Sequence, residues 1–285
     1  MYDERIKVIE NIGAALSEGD SFRRVELHDK VVTAEDVRRV ILPFDIERKK
    51  LGSKISAFLA RRMAESETKK RNAETKIVGL ENALSVTGGA IITQNHFNFM
   101  DSTISRLLAM KCGRAKKFDI IIQEENVFMT GYFGFLMRNC NTLPLSRSAE
   151  YMSGKLKPAI ARRISEGHFI LIYPEEQMWF NYKKPRALRD GAYHMAATLG
   201  VPIIPTFVTM EEIEDELDPD GFYELRHTLH VMPPIYPDPK KTVRENRKEM
   251  CERDYAAKLE CYERTYGVPL DESFIPGRDI AGYVI

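Results

Sequence analysis

The sequence predicts an α/β fold: a mostly parallel central sheet covered by helices, with an N-terminal helical extension. From about residue 81, short apolar runs alternate with helix-periodic segments, the pattern of strands joined by helical crossovers. The chain has 285 residues, 44% of them hydrophobic, which is enough for one large domain with a sizeable core, or one domain with an extension. On this reading residues 1–80 are a mainly helical extension carrying a basic amphipathic helix. Residues 81–285 are the α/β domain, ending in a charged helix.

Residues 1–17 read as a short helix with Ile6, Ile9 and Leu16 near one face, and Phe22–Val32 as an extended segment. Thr33-Ala34-Glu35-Asp36 has the form of a capping box opening a helix that stops before Pro43. No chemistry is legible in this stretch. Over residues 47–71, Leu51, Ile55, Phe58, Leu59 and Met63 recur at helical spacing. Around them stand nine lysines and arginines, from Arg48 to Arg71, against three acids. Such a helix fits an anionic membrane surface, and equally a helix packed on the domain with its charges in solvent.

Strands are expected at 86–94, 118–123, 142–146, 169–174, 202–209 and 226–232, with helices at 101–112, 128–139, 149–166 and 187–199. Residues 211–224 carry eight acids without the spacing of an EF-hand loop, so they read as a solvated acidic loop rather than a cation site. A charged helix over 240–266 ends at Gly267-Val268-Pro269.

Composition narrows the function. The formal net charge is zero, so overall charge argues for no particular partner, and no nucleic-acid partner is expected. The four cysteines show no CxxC or Cys/His zinc spacing, and reduced thiols in the cytoplasm are the simplest reading. The N-terminus lacks the apolar core of a signal peptide, and no apolar run is long enough to span a bilayer.

The chemistry gathers at the expected strand ends. Asn95-His96-Phe97-Asn98-Phe99-Met100-Asp101 follows the apolar run Ala90–Ile92 and sets a histidine and an aspartate five positions apart. A strand that fixes the histidine and a following helix that brings back a carboxylate suit a general base. The same spacing also suits a helix-capping aspartate beside a satisfied histidine. Leu143-Pro144-Leu145-Ser146-Arg147 ends a short strand in a guanidinium, either aimed at an anionic substrate or simply on the surface. Phe169–Tyr173 runs into Pro174-Glu175, a carboxylate that either orients a hydroxyl, pairs with Arg147 or caps a helix. Lys183, Lys184, Arg186 and Arg189 form a second cationic cluster, and Val201-Pro202-Ile203-Ile204-Pro205 a proline-flanked strand. Cys140 reads as a buried structural cysteine rather than a nucleophile, because no nearby histidine in sequence supports its activation.

Four of these blocks, in this order, resemble the glycerolipid acyltransferase family, specifically the bacterial 1-acyl-glycerol-3-phosphate (lysophosphatidic acid) acyltransferases. Asn95-His96-x4-Asp101 looks like the first block, Leu143–Arg147 the second, Tyr173-Pro174-Glu175 the third and Val201–Pro205 the fourth. Arg189-Asp190-Gly191-Ala192-Tyr193 is similar to the segment between the last two. The third block departs from the family: Glu176-Gln177-Met178 stand where Gly-Thr-Arg is usual, and Asn141 replaces the glycine before the second.

The resemblance implies an acyltransferase domain over residues 81–285 and acyl transfer in phospholipid biosynthesis. His96 would be the base and Asp101 its partner. Arg147 would bind the acceptor phosphate and Glu175 the acceptor itself, with Asn95, Lys184, Arg186 and Arg189 as further binding residues; a cation among Lys183, Lys184 and Arg186 would stand in for the missing arginine. The acceptor would be a lysophospholipid, and the donor acyl-CoA or acyl carrier protein. No metal or other cofactor is implied. The place of work would be the inner face of the cell membrane, reached from the cytoplasm. The altered third block keeps a different acceptor, or a non-catalytic lipid-binding protein, as alternatives.

Overall fold

Runs such as Ala90-Ile91-Ile92-Thr93 and Phe169-Ile170-Leu171-Ile172 carry no solvent-facing polar alternation, and their side chains are almost wholly buried. Strands of that kind need cover on both faces, which only an internal parallel sheet flanked by helices supplies. The computed structural model, which describes residues 2–27 and 30–284, has this architecture.

In chain order the elements are α1 (Tyr2–Ser17), α2 (Ala34–Asp36), α3 (Leu51–Arg71), β1 (Lys76–Val78), α4 (Leu80–Leu84), β2 (Ala90–Thr93), α5 (Ser102–Lys111), β3 (Phe118–Gln123), α6 (Gly131–Asn139) and β4 (Thr142–Leu145). There follow α7 (Ala149–Tyr151), α8 (Lys157–Ser165), β5 (Phe169–Ile172), α9 (Gly191–Leu199), β6 (Ile203–Leu217), β7 (Tyr223–Val231), α10 (Val243–Tyr266) and α11 (Pro276–Asp279). A π-helical turn continues α2 over Val37–Ile41, and another joins α7 to α8 over Met152–Leu156.

The seven strands lie in the order β1-β7-β6-β2-β5-β3-β4. The five from β6 to β4 run parallel, while β7 is antiparallel to β6 and β1 follows β7. The sheet is therefore mostly parallel, as the alternating pattern implied. Gly89 sets how closely α8 approaches β2: a Cβ there would lie 2.2 Å from the Ile164 carbonyl oxygen. The capping box at Thr33 and Asp36 is formed, and Thr242 with Glu245 makes a second one at the start of α10.

Two expectations need correction, and two elements were not foreseen. The acidic stretch from 211 is no loop: β6 continues to Leu217 and pairs with β7. The Arg226 guanidinium lies between Glu211 (3.7 Å) and Glu74 (3.5 Å), and the Gly282 N–H donates to Glu212, so the acids are offset across the hairpin. Phe22–Val32 contains no strand among its described residues, His28 and Asp29 lying outside them. β1 and α4 were not foreseen; β1 is too short to display a period.

Helix α1 does not stand apart. Val8, Ile9 and Ile12 form a second apolar cluster with Trp179, Phe180, Tyr182, Phe222 and Ile280, so the N-terminus packs on the segment that follows β5.

Candidate active site

The parallel strands β2, β5, β3 and β4 all end at one edge of the sheet, where ligands of open α/β sheets are held. His96 leaves that edge three residues after β2. Its ring Nδ1 lies 2.8 Å from Asp101 Oδ2. A carboxylate can only accept, so Nδ1–H donates and Nε2 keeps its lone pair for an incoming proton. The same Oδ2 accepts the backbone N–H groups of Phe97 (2.9 Å) and Asn98 (3.2 Å), which closes the turn between His96 and α5. Oδ1 accepts the Tyr173 hydroxyl at 2.5 Å. Asp101 is buried, with four donors on its two oxygens.

Tyr173 also forms a platform: its ring stacks on His96 with centroids 3.9 Å apart and planes 18° from parallel. Burial, then the Asp101 charge, push the Tyr173 phenol well above its ordinary pKa, so it stays a donor. The His96 side chain remains 21% exposed, enough to meet a substrate.

His96 opens onto a cavity of about 1120 Å³. Ile121, Phe128, Met137, Ile160, Ile172 and Met195 give it an apolar lining. Arg147 reaches it from the end of β4, exposed and without an ionic or hydrogen-bond partner among the described residues. A general base, an apolar enclosure and a free guanidinium thus share one space.

Residues 69–209 match the family profile described as Acyltransferase. That stretch is an acyltransferase domain. The His-x4-Asp spacing of His96 and Asp101 is characteristic of the family. No curated protein matches the chain significantly. Eight chains of solved structures do, among them the 1-acyl-sn-glycerophosphate (LPA) acyltransferase PlsC from Thermotoga maritima. The likeness to PlsC has a TM-score of 0.51 at 14% identity, over 94% of this chain and 96% of that one, and supports the same fold.

The acyltransferase brings some of the sequence-derived residues together and keeps others apart. Arg189 lines the cavity, its guanidinium 3.7 Å from the Phe22 ring centre and its Nε donating to Glu176 at 3.0 Å. Glu175 does not line it. Its carboxylate is buried against Arg186, which donates from Nε (3.2 Å) and Nη2 (3.0 Å), and it also accepts the His96 backbone N–H at 3.2 Å. Arg186 in turn stacks on Trp179, 4.4 Å from ring centre to guanidinium. Glu175, expected to contact the acceptor, is thus placed beneath the His96 backbone and against Arg186 rather than in the cavity lining. Arg186 is consumed by that pairing.

Lys184 is also out of reach, buried with its ammonium on Asp271 (2.8 Å), Asp279 (3.1 Å) and the Ser273 carbonyl (2.6 Å). Asn95 is buried too. Its amide bonds both the N–H (2.8 Å) and the C=O (3.1 Å) of Val208, extending the β2–β6 pairing by one side chain. Neither faces the cavity. Cys140 lies outside it as well, with burial pushing its thiol pKa up.

Removing the Glu175 charge leaves Arg186 buried without its counter-ion. Glu175→Gln is thus expected to lower stability by about 2 kcal/mol, read by denaturant unfolding. A change confined to the acceptor KM, with stability unaltered, would contradict this placement.

No pattern in the sequence points to the cavity wall built by Arg24, Val25, Leu27 and Lys30. Arg24 is held by Glu125 at 2.6 Å, and the Lys30 ammonium sits 4.2 Å from the Phe128 ring centre. Tyr173 was visible only as a member of the third block, and its bond to Asp101 spans 72 residues.

Proposed function

We propose that this acyltransferase moves a fatty acyl group from acyl-CoA or acyl carrier protein to the free hydroxyl of 1-acyl-glycerol-3-phosphate, giving phosphatidic acid. The observation that carries this reading is the His96–Asp101 pair at the mouth of an apolar cavity that also holds the unpartnered Arg147. His96 Nε2 takes the proton of the acceptor hydroxyl as its oxygen attacks the thioester carbonyl. Collapse of the tetrahedral intermediate expels the thiolate, which recovers the proton from the imidazolium and leaves as a thiol. Asp101 fixes the tautomer and offsets the charge on the imidazolium. Arg147 binds the acceptor phosphate, and the apolar lining takes acyl chain.

Residues 81–285 supply this chemistry, and residues 1–80 supply a cavity wall and a membrane-facing helix. Leu51, Ile55, Phe58 and Leu59 on α3 are 49–76% exposed, beside lysines and arginines on the same helix. This supports peripheral attachment to the anionic inner face of the cell membrane. No helix among the described residues is long and apolar enough to cross a membrane.

A second reading, the same transfer to a different acceptor, is favoured by the third block, whose Glu175 is spent on Arg186. Thiol release from palmitoyl-CoA and palmitoyl-acyl carrier protein separates the two. Release that depends on lysophosphatidic acid, and not on lysophosphatidylcholine, is expected. Release with lysophosphatidylcholine alone would move the assignment of the acceptor. Arg147→Gln is expected to raise KM for the phosphorylated acceptor roughly 10- to 100-fold with a smaller change in kcat, since charge-assisted hydrogen bonds contribute about 1.5–3 kcal/mol.

A further inference from the structure

Positive charge also collects at the opposite edge of the sheet. Lys116 precedes β3, Asn141 precedes β4 and His168 precedes β5, so this region faces the amino ends of the strands. It lies roughly 15 Å from the His96 edge, the length of five residues of strand. A cleft of about 370 Å³ opens there, between α3 on one side and the end of α8 on the other. Six basic side chains line it against two glutamates.

The carboxylates present are already engaged. Arg162 is paired with both Glu47 and Glu166. Asp119, buried beneath the cleft, is shared by Arg163 and His168. The cations are less well served. Arg48 is 9% exposed and Arg163 8%. Arg48 Nη1 donates to the carbonyls of Asp45 (2.9 Å) and Ile46 (3.2 Å), but its Nε and Nη2 have no partner among the described residues. Arg163 Nε has none either. Arg61 reaches only the Asn141 side-chain oxygen, at 3.4 Å.

Buried donors are normally satisfied and buried cations normally paired. Burial first, then the neighbouring Arg163 guanidinium, press the Arg48 pKa down, as expected of a cation short of counter-charge. Arg48 is moreover held at φ 51°, a left-handed conformation that a non-glycine residue keeps only when its surroundings impose it.

We propose that this cleft is a second anion site, separate from the His96 cavity, that takes a phosphate group. Several converging guanidinium and ammonium groups suit a multiply charged tetrahedral oxyanion better than a single carboxylate. The volume suits a phosphate ester headgroup and not an acyl chain. Lys54, Ala57 and Arg61 form one stripe of α3, and the exposed Leu51, Ile55 and Phe58 form the adjoining stripe. The phosphate can therefore arrive as a phospholipid headgroup or in solution.

The test uses the full chain and four proteins: wild type, K54Q/R61Q, R147Q and K69Q/K70Q. The last removes two charges from the same helix outside the cleft. Thermal unfolding is followed in inorganic phosphate against sodium chloride of equal ionic strength. Flotation is followed with phosphatidylcholine vesicles, with and without phosphatidic acid. Circular dichroism checks that each variant is folded.

A phosphate-dependent rise in Tm of roughly 3 °C or more is expected for wild type, R147Q and K69Q/K70Q, and its loss in K54Q/R61Q. A preference for phosphatidic acid vesicles that K54Q/R61Q alone loses, without that rise, would support the site with a lipid as the source. The proposal is overturned by equal behaviour in phosphate and chloride together with equal binding to both vesicles. It is also overturned if K54Q/R61Q keeps the effect, or if K69Q/K70Q loses it as well. None of these outcomes depends on turnover, so failure here is distinct from failure of the acyltransferase assignment.

Discussion

Replacing His96 by alanine is expected to lower kcat/KM for acyl transfer by roughly 10³-fold, the contribution of a positioned general base. The fold should survive, because the ring is partly exposed and the backbone bonds of His96, from its N–H to Glu175 and from the Trp179 N–H to its C=O, are untouched. Asp101→Asn is the sharper experiment. An asparagine oxygen can still accept from His96 and from the Phe97 and Asn98 N–H groups, while its amide faces the Tyr173 hydroxyl, which can also accept. Geometry and tautomer are retained and the charge beneath the imidazolium is lost, so a smaller fall than that of His96→Ala is expected. Tyr173→Phe keeps the stacking and removes one donor to Asp101, so it should cost least. The measurement is thiol release under single-turnover conditions, with circular dichroism as the check on folding. Activity of His96→Ala within tenfold of wild type would remove His96 as the base, and the lipid-binding alternative would then be the one to test.

The order of those three effects follows from features of unequal visibility in the sequence. His96 and Asp101 are local: five residues, one turn, and an apolar strand before them. The β2, β3 and β5 strands were legible for the same reason, each being a continuous apolar run bounded by turns. Tyr173, Glu175 and Arg186 differ. Whether Glu175 meets substrate or Arg186 depends on how the segment after β5 folds back, and nothing in its composition separates the two. Lys184 looked like one of four available cations, yet its partners Asp271 and Asp279 lie 87 and 95 residues away. The continuation of β6 past residue 209 was hidden because its acids outweighed its alternation; in the structure it is held by backbone pairing with β7, with Arg226 between Glu211 and Glu74. The cavity wall at Arg24–Lys30 has no periodicity at all. It is set by α1, whose apolar face needs Trp179 and Phe180 to cover it.

The charged helix α10 conceals the largest stability effect expected. Its sequence reads as polar all round, yet Asp254 and Lys258, one turn apart, are completely buried. Lys258 pairs with Asp254 and also donates to the Thr93 hydroxyl at 3.0 Å. The Thr93 hydroxyl donates to Asp254 at 2.7 Å, and the Tyr193 hydroxyl donates to the same oxygen. The network therefore ties α10 and α9 to the last residue of β2, three positions before His96. A buried pair of this kind is weak evidence of net stabilisation, but breaking it from one side leaves a charge without compensation. Lys258→Met is expected to cost about 3–5 kcal/mol, and to lower Tm by roughly 5–10 °C in a chain of this size. The double variant D254L/K258M replaces the pair by apolar volume and should recover most of that loss, because no ion is then left in the core. Denaturant unfolding of the two singles and the double gives the coupling between them. Additive losses would mean that the two side chains do not share a buried site. If recovery of stability comes with a lasting drop in kcat, the network also positions the turn that carries His96; if kcat returns with stability, its work is confined to holding the helices on the sheet.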